Sequence, residues 1–252
     1  MTDRLQGKRI FLTGAAQGIG LAIAEACLAE GASLFLVDMD AGLLEKTVAR
    51  LDAGDRLAHA VADISDSDAI AAAVQAAKAS IGPVNALINN AGINVRKPPE
   101  TYTLAEWRTI IDGNLTSAFL ASRAVYPALV AAGGGKIINI GSLSSILGLP
   151  FAAPYAASKG GIVQLTRSLA TAWAKDNIQV NAVLPGWVDT DLTRQARIDV
   201  PGLNERVLAR TPAQRWGVPE DFAGVAVYLA SPASDYVTGA AIPIDGGYAI
   251  QV

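Results

Sequence analysis

The fold is decided by residues 8–20, which read KRIFLTGAAQGIG. The apolar run up to Thr13 predicts a buried strand, and the pattern from about Gly18 to Glu30 predicts a helix. Glycines 14, 18 and 20 lie between or at the start of these elements, where missing side chains let a pyrophosphate approach backbone N–H groups at the helix N-terminus. Their spacing differs from the commoner dinucleotide-binding pattern, and a tight turn with no ligand is the alternative interpretation.

The alternation of short β-rich runs with longer helical patterns continues from this stretch to the end of the chain. Such alternation is typical of parallel βαβ units, and no linker interrupts it. A chain of 252 residues can form one large α/β domain or two small ones. The segment 187–217 is polar, irregular and long, as lids and substrate loops tend to be.

Ligands of doubly wound sheets bind beyond the carboxyl ends of the strands. The residues predicted at those ends are Gly14, Asp38, Asp63, Asn89, Ser142 and Pro185. The carboxylate of Asp38 can accept hydrogen bonds from adenosine ribose hydroxyls and would repel a 2′-phosphate, which favours NAD over NADP. Asp63 could meet the adenine edge. For both aspartates, a role in the local turn is the alternative.

Tyr155 and Lys159 lie four residues apart at the start of a long apolar segment, and this spacing places them on one face of a helix. A protonated Lys159 would favour the phenolate and lower the pKa of Tyr155 from about 10 toward working pH. A tyrosine tuned in this way can exchange a proton with an alcohol or a carbonyl. A solvated helix face is the alternative for such a pair.

Several motifs, taken in order, resemble those of the short-chain dehydrogenase/reductase family. They are glycines 14, 18 and 20, Asn89-Asn90-Ala91-Gly92, Asn114, Ser142, Tyr155-Ala156-Ala157-Ser158-Lys159, and Pro185-Gly186 followed by Thr190. The resemblance covers essentially the whole chain. It implies one Rossmann-type α/β domain over residues 1–252, with a doubly wound, seven-stranded parallel sheet and helices on both faces. It also implies hydride transfer between a nicotinamide cofactor and a carbonyl or alcohol, usually in a tetramer.

The resemblance assigns a role to each member of a catalytic tetrad. Tyr155 would be the general acid and base, and Ser142 would orient the substrate oxygen. Lys159 would bind the nicotinamide ribose and lower the tyrosine pKa, while Asn114 would hold a water that relays protons. The residues expected to bind NAD are Gly14, Gln17, Gly18, Ile19, Gly20, Asp38, Asp63, Ile64, Asn90, Ala91, Gly92, Ile140, Tyr155, Lys159, Pro185, Gly186, Val188 and Thr190. Packing or turn roles are equally open for Asn90, Ile140, Val188 and Thr190.

Two further stretches, residues 92–96 and 209–217, are similar to family members that act on sugar acids, of the gluconate 5-dehydrogenase and 2-deoxygluconate 3-dehydrogenase type. A substrate carboxylate would require an arginine, and Arg96 follows the fourth predicted strand at the correct end of the sheet. An ordinary solvated charge is the alternative for Arg96. Ser144, Trp187 and Arg194 are weaker candidates for the substrate pocket.

Three functions stay open. The first is an NAD-dependent dehydrogenase of polyols, sugars or sugar acids. The second is a 3-oxoacyl or small-ketone reductase of the same family, although Asp38 and the acidic chain argue against a substrate on an acyl carrier protein. The third is a nucleotide-sensing protein without turnover, which the complete tetrad disfavours.

The composition excludes several other classes. Charged residues make up only 17% of the chain, against roughly 25% in an ordinary domain, so we expect other subunits to cover much of the surface. A net charge of −3 and the lack of a basic stripe argue against a nucleic-acid partner. One cysteine, Cys27, and one histidine, His59, permit neither an internal disulfide nor a histidine-based triad or multi-histidine metal site.

The N-terminal region imitates a secretory signal peptide, because basic residues precede an uncharged run from Ile10 to Ala24. Glycines interrupt this run, and it leads directly into a predicted strand. No segment reaches the roughly 20 apolar residues of a membrane span. A single cysteine fits a reducing compartment, so we predict a soluble cytoplasmic protein with a small-molecule substrate.

Overall fold

A parallel sheet of seven strands organises the computed structural model, which describes residues 3–251 apart from the side chains of Leu192 and Asp199. The strands are β1 (Arg9–Thr13), β2 (Ser33–Asp38), β3 (Leu57–Val61), β4 (Ala86–Asn89), β5 (Gly135–Ile140), β6 (Ile178–Pro185) and β7 (Ala241–Ile244). Their order is β3-β2-β1-β4-β5-β6-β7, and every neighbouring pair is parallel. The predicted fold class is confirmed.

Helices cover both faces of this sheet. They are α1 (Gly18–Ala29), α2 (Ala41–Leu51), α3 (Ser67–Ile81), α4 (Leu104–Ile111), α5 (Ser117–Ala131), α6 (Ala153–Trp173), α7 (Asp191–Asp199), α8 (Leu203–Arg210) and α9 (Ala223–Ala230). Side chains of β1 alternate between two hydrophobic clusters: Ile10 packs in the cluster that contains Ile23 of α1, and Phe11 packs in the cluster that contains Ile70 of α3. This period of two is what a strand buried on both faces requires.

The winding of the chain reverses at β1, which lies between β2 and β4. Thr13 at the end of β1 is in register with Asn89 at the end of β4. The loops that follow these two strands therefore leave the same edge of the sheet side by side. A crevice at such a switch point is the usual ligand site of an open α/β sheet.

Two local predictions differ from the structure, and a third agrees with it. The capping box Thr103-Leu104-Ala105-Glu106 predicts a helical segment that extends to about Ala132, but a π-helical turn, Asp112–Thr116, separates α4 from α5. The pattern of the segment 187–217 predicts short helical pieces within an irregular stretch, and the two short helices α7 and α8 agree with it. The stretch Ser65-Asp66-Ser67-Asp68 resembles a capping box and predicts Ser65 as the cap, but Asp66 itself caps α3 by accepting from two backbone N–H groups.

Within residues 3–251, no helix combines the length and the apolar character needed to cross a membrane.

Candidate active site

The turn between β1 and α1 is closed so tightly that two of its glycines have no room for a side chain. A Cβ atom added to Gly20 would lie 2.1 Å from the carbonyl oxygen of Gly14, and one added to Gly14 would lie 2.6 Å from Cα of Ala91. Gly14 also has a φ of +62°, a backbone conformation that L side chains rarely adopt. Glycine is therefore required at both positions for the turn to pack against the loop after β4.

Asparagines and Thr13 fasten that loop to the glycine turn. The side-chain amide of Asn90 donates to the carbonyl of Gly14 at 2.7 Å, and the N–H groups of Asn90 and Ala91 both donate to Oγ1 of Thr13 at 3.2 Å. Asn89 is buried and donates to Oδ1 of Asn139 on β5 at 2.8 Å. These contacts give Asn90 the packing role that its sequence left open, and its side chain lines the cleft as well.

The N-terminus of α1 has the properties of an anion site. Its N-cap residue Gln17 has extended backbone angles and makes no side-chain capping hydrogen bond, and the first turn contains no acidic residue. Backbone N–H groups of the first helical turn have no partner within the helix, and the helix dipole favours negative charge there. The cradle of glycines and the uncapped helix end together fit a cofactor pyrophosphate.

Asp38 and Asp63 both accept hydrogen bonds within local turns, which is the alternative role that the sequence left open for them. Oδ2 of Asp38 accepts from the N–H of Ala16 in the glycine turn at 3.0 Å, and Oδ1 accepts from the N–H of Asp40 at 3.1 Å. Oδ1 of Asp63 accepts from the N–H and the hydroxyl of Ser65 at 2.9 and 2.7 Å. Each carboxylate nevertheless lines the cleft, so turn and ligand roles are compatible.

A cleft of about 840 Å³ opens along this edge of the sheet, and we call it the long cleft. Its volume falls within the roughly 300–1,000 Å³ of small-molecule and cofactor sites. The predicted cofactor residues that line it are Gly14, Gln17, Gly18, Ile19, Asp38, Asp63, Ile64, Asn90, Ala91, Gly92 and Thr190. Ile140 and Val188 are buried, at 6% and 3% exposure, which fits their packing alternative, and Gly20 packs against Gly14. Sequence reasoning missed Arg108, which also lines the long cleft.

A second cavity of about 130 Å³, the inner cavity, contains the other candidate residues. The predicted residues that line it are Arg96, Ser142, Ser144, Tyr155, Pro185, Gly186 and Trp187. Arg194 is not among the residues that line it. Its guanidinium pairs with Asp189 and Asp191 at 3.1 and 2.7 Å, and Arg194 lines the long cleft instead, so its role in binding substrate stays a prediction.

The inner cavity also brings together residues that the sequence reading missed. The guanidinium of Arg210, at the end of α8, lies over the ring of Tyr248 at 4.6 Å from its centre, and Asn94 comes from the loop after β4. Arg210 belongs to the stretch 209–217 that carries the sugar-acid resemblance, which is a signal that could have identified it. Nothing in the local sequence marks Tyr248, because only the fold brings the C-terminal segment to this cavity.

The geometry of Tyr155, Ser142 and Lys159 is set by α6 and by the end of β5. Ser142 follows β5, and it lines the same cavity as the phenol of Tyr155. The ammonium of Lys159 lies 5.7 Å from the centre of the Tyr155 ring and donates to the carbonyl of Ile140 at 2.8 Å. Lys159 is only 3% exposed. A buried lysine and a phenol therefore lie side by side on one helix face, as the spacing predicts.

Burial dominates the ionisation of both groups. It lowers the pKa of Lys159 from 10.5 to about 8, because the ammonium loses its hydration. Burial also raises the pKa of Tyr155, and this effect outweighs the hydrogen bond from Ser142 and the nearby charge of Arg96, which both lower it. The expected lowering of the tyrosine pKa by Lys159 is therefore wrong in direction, because the ammonium is directed at the Ile140 carbonyl and not at the phenol oxygen.

Asn114 links the loop after β4 to the helix of Tyr155. It is 2% exposed, its Oδ1 accepts from the N–H of Ile93 at 2.7 Å, and its Nδ2 donates to the carbonyl of Ile93 and the hydroxyl of Ser158, each at 3.0 Å. A methyl group added to Gly92 would lie 3.2 Å from Oδ1 of Asn114 and 3.3 Å from Nζ of Lys159. Asn114 and Lys159 thus meet beside Gly92, and the relay water stays a prediction.

Comparisons with known proteins extend over nearly the whole chain. The sequence model of the family described as Enoyl-(Acyl carrier protein) reductase matches residues 14–249. Galactitol 2-dehydrogenase (L-tagatose-forming) from Cereibacter sphaeroides is 44% identical over 249 residues, covering 98% of this chain and 97% of that protein. The 5-keto-D-gluconate 5-reductase of Escherichia coli K12 is 40% identical, with 98% of each chain covered.

A solved structure supports the same likeness at the level of the backbone. It is that of a gluconate 5-dehydrogenase from Burkholderia cenocepacia J2315 in complex with NADP and tartrate. Its TM-score is 0.93 at 37% identity, covering 99% of this chain and 98% of that chain.

Proposed function

The chain belongs to the short-chain dehydrogenase/reductase family, and from that premise we propose that it interconverts a secondary alcohol and a ketone on a polyol, sugar or sugar acid with NAD as cofactor. One observation carries this proposal: the phenol of Tyr155 lines a cavity together with Ser142, and the buried ammonium of Lys159 lies 5.7 Å from the centre of the Tyr155 ring. Residues 1–252 would form one dinucleotide-binding and catalytic domain, with residues 187–217 as the substrate loop.

Tyr155 is the proposed general acid and base. In the reductive direction its hydroxyl donates a proton to the oxygen of the ketone, and in the oxidative direction the phenolate takes the proton of the alcohol. Ser142 hydrogen-bonds the same oxygen and holds it in line with the phenol. When bound, the nicotinamide supplies or accepts the hydride.

Lys159 is proposed to move protons between Tyr155 and the surroundings. Because burial lowers its pKa to about 8, it can be protonated or neutral with little change in pH near neutrality. Asn114 would position Lys159 and the loop at Gly92 beside it. We expect the nicotinamide ribose to lie against Lys159, as the family resemblance implies.

The residues of the long cleft would hold the cofactor. The uncapped start of α1 suits the pyrophosphate, and the carboxylate of Asp38 at the end of β2 suits the ribose hydroxyls. The B. cenocepacia relative is described in complex with NADP, whereas a carboxylate at position 38 of this chain would repel a 2′-phosphate. NAD is therefore the cofactor we propose.

The chemistry of the inner cavity supports a hydroxylated and acidic substrate. Among the described residues, Arg96 and Arg210 both line it, and a guanidinium is well suited to a carboxylate. Relatives named for 5-keto-D-gluconate, gluconate and galactitol fit this class.

A 3-oxoacyl or small-ketone reductase is the second candidate function. The description of the matching family favours it, although two arginines suit an acyl chain poorly.

We also propose a cytoplasmic homotetramer. Exposed apolar side chains on α4 and α5, such as Leu104 at 63%, Trp107 at 40% and Phe119 at 42%, provide area for subunit contacts. The single buried cysteine, Cys27, fits a reducing compartment.

A substrate screen tests this function directly. Polyols, aldonates and simple secondary alcohols are each incubated with NAD and with NADP, and the absorbance of the reduced cofactor is followed. We expect turnover of a polyol or an aldonate with NAD. Turnover confined to acyl thioesters, or no turnover of any alcohol or ketone with either cofactor, would contradict the proposal.

A further inference from the structure

Two polar atoms of the inner cavity have no hydrogen-bond partner among residues 3–251. They are the side-chain oxygen Oδ1 of Asn94 and the hydroxyl of Ser144, and both atoms are buried. Buried polar atoms in native proteins nearly always have a partner, and leaving one without a partner destabilises the folded state. Both atoms share the cavity with Ser142 and Tyr155. They are therefore open to a hydrogen-bond partner that is not part of the described chain and enters through that cavity.

Ser144 lies directly beside the group that orients the reacting oxygen. It occupies the short 3₁₀ turn Leu143–Ser145 that follows Ser142, and its N–H donates to the hydroxyl of Ser142 at 3.1 Å. Ser142 and Tyr155 line the same cavity as Ser144. A ligand atom that reaches Ser144 is accordingly attached close to the carbon that reacts.

Asn94 is held in place from the helix that carries Tyr155. The side-chain amide of Asn114 accepts from the N–H of the neighbouring Ile93 at 2.7 Å and donates to the carbonyl of Ile93 at 3.0 Å. Asn114 also donates to the hydroxyl of Ser158, which donates to the carbonyl of Tyr155 at 2.7 Å. Asn94 is thus connected through three hydrogen-bonded residues to the backbone of the proposed base.

Hydrogen bonds also hold the residues that follow Asn94 in the chain. The carbonyl of Val95 accepts from the hydroxyl of Tyr102 at 2.5 Å, and the N–H of Lys97 donates to the carbonyl of Phe151 at 3.0 Å. A loop fixed at both flanks holds its side chains in one arrangement before the ligand binds. Such preorganisation is what specific polar recognition needs.

We propose that Asn94 and Ser144 bind a second hydroxyl of the substrate, on a carbon next to the one that reacts, and that they make the enzyme selective for hydroxy ketones and polyols over simple ketones and alcohols. This inference rests on the proposed oxidoreductase function and adds the residues that set its selectivity. Oδ1 of Asn94 can only accept, so it requires a hydroxyl donor. The hydroxyl of Ser144 can accept or donate.

Two ketones of four carbons test the proposal. Acetoin and 2-butanone present the same reacting ketone and differ by one neighbouring hydroxyl, and their reduction is followed with NADH and with NADPH. Because a site built to hydrogen-bond a hydroxyl rejects an analogue that lacks it, we expect the wild-type kcat/KM for acetoin to exceed that for 2-butanone by about 100-fold or more. Values of kcat/KM come from the linear range even where neither ketone saturates the enzyme.

Substitutions of Asn94 and Ser144 then test whether these two residues cause the selectivity for acetoin over 2-butanone. Asn94→Leu and Ser144→Ala should each lower the ratio of kcat/KM for acetoin to kcat/KM for 2-butanone by about 10- to 100-fold. Most of this change should be a lower kcat/KM for acetoin. Asn94→Asp keeps an oxygen acceptor and should keep most of the selectivity for the neutral acetoin. Ser80→Ala, at an exposed position on α3, is the matched control and should leave the ratio unchanged. The Tm of Asn94→Leu should not fall, since Oδ1 has no partner among the described residues.

The possible failures are distinguishable. An enzyme that turns over a polyol or an aldonate but shows equal kcat/KM for acetoin and 2-butanone overturns the hydroxyl recognition. So does a wild-type ratio retained in both Asn94→Leu and Ser144→Ala. An enzyme that turns over no alcohol or ketone with either cofactor overturns the proposed function itself.

Discussion

Replacing Lys159 with methionine should stabilise the folded protein while it abolishes turnover. Lys159 is 3% exposed, and burial lowers its pKa from 10.5 to about 8. At about 1.4 kcal/mol per pKa unit, the buried ammonium costs the folded state about 3 kcal/mol at pH 7. Its hydrogen bond to the Ile140 carbonyl, at 2.8 Å, offsets about 1.5 kcal/mol of that cost.

The gain in folding free energy from Lys159→Met depends on pH. Below about pH 8, Lys159 is protonated in both the folded and the unfolded state, so the folded state bears the whole cost. Between about pH 8 and 10.5, the folded state loses the proton first, and the cost shrinks to about 1.4 kcal/mol at pH 9.5. Lys159→Met should therefore gain about 1.5 kcal/mol at pH 7 and close to nothing at pH 9.5.

Urea unfolding of the cofactor-free protein at both pH values measures this difference. A gain of about 1.5 kcal/mol corresponds to a rise in Tm of roughly 3 °C for a chain of this size. Lys78→Met, at an exposed position on α3, is the control and should show no pH-dependent gain. Turnover and NAD affinity of Lys159→Met should fall together. A loss of stability at pH 7, or an equal gain at both pH values, would refute the assignment of Lys159 as a buried, functionally retained charge.

The other predictions concern the cofactor, the proton and the assembly. Wild-type kcat/KM should be higher with NAD than with NADP. Asp38→Asn should lower the ratio of these two values, because it removes the charge that repels a 2′-phosphate. A higher wild-type kcat/KM with NADP would contradict the proposed cofactor. Alcohol oxidation should rise with pH through about 8, as the coupled pair of Tyr155 and Lys159 loses its first proton, whereas a rate that is flat or falls between pH 7 and 9 would contradict the assignment. Sedimentation at micromolar concentration should give a tetramer, and a monomer would overturn the proposed assembly.

The sheet and the long cleft could be predicted because their signals are local. A strand buried on both faces is visible as an apolar run, and a parallel sheet brings all the carboxyl ends to one edge. Thr13 and Asn89, at the ends of β1 and β4, are therefore in register, and Gly14 packs against Ala91 in the loop after β4. The interruption of the helix at Asn114 was indicated only by the preceding glycine, Gly113, because a π-helical turn has no sequence pattern of its own.

The electrostatics and the inner cavity could not be predicted to the same extent. Spacing alone places Lys159 beside Tyr155, but whether burial or charge controls the tyrosine pKa depends on atoms from β5 and the loop after β4. Arg210 and Tyr248 lie 38 positions apart in the chain and meet only because α8 and the C-terminal segment fold over the same cavity. The pairing of Arg194 with Asp189 likewise becomes visible only in three dimensions.

The most direct test of the account is the turnover of Tyr155→Phe in the substrate reaction found by the screen. The substitution keeps the ring and removes the proposed acid and base, so kcat should fall by about 10²- to 10⁴-fold or more. NAD affinity, measured by binding in the absence of substrate, should barely change. A primary deuterium isotope effect, with the label on the reacting carbon of the substrate, establishes that hydride transfer limits the rate. If Tyr155→Phe retains the wild-type kcat under that condition, Tyr155 is not the group that moves the proton.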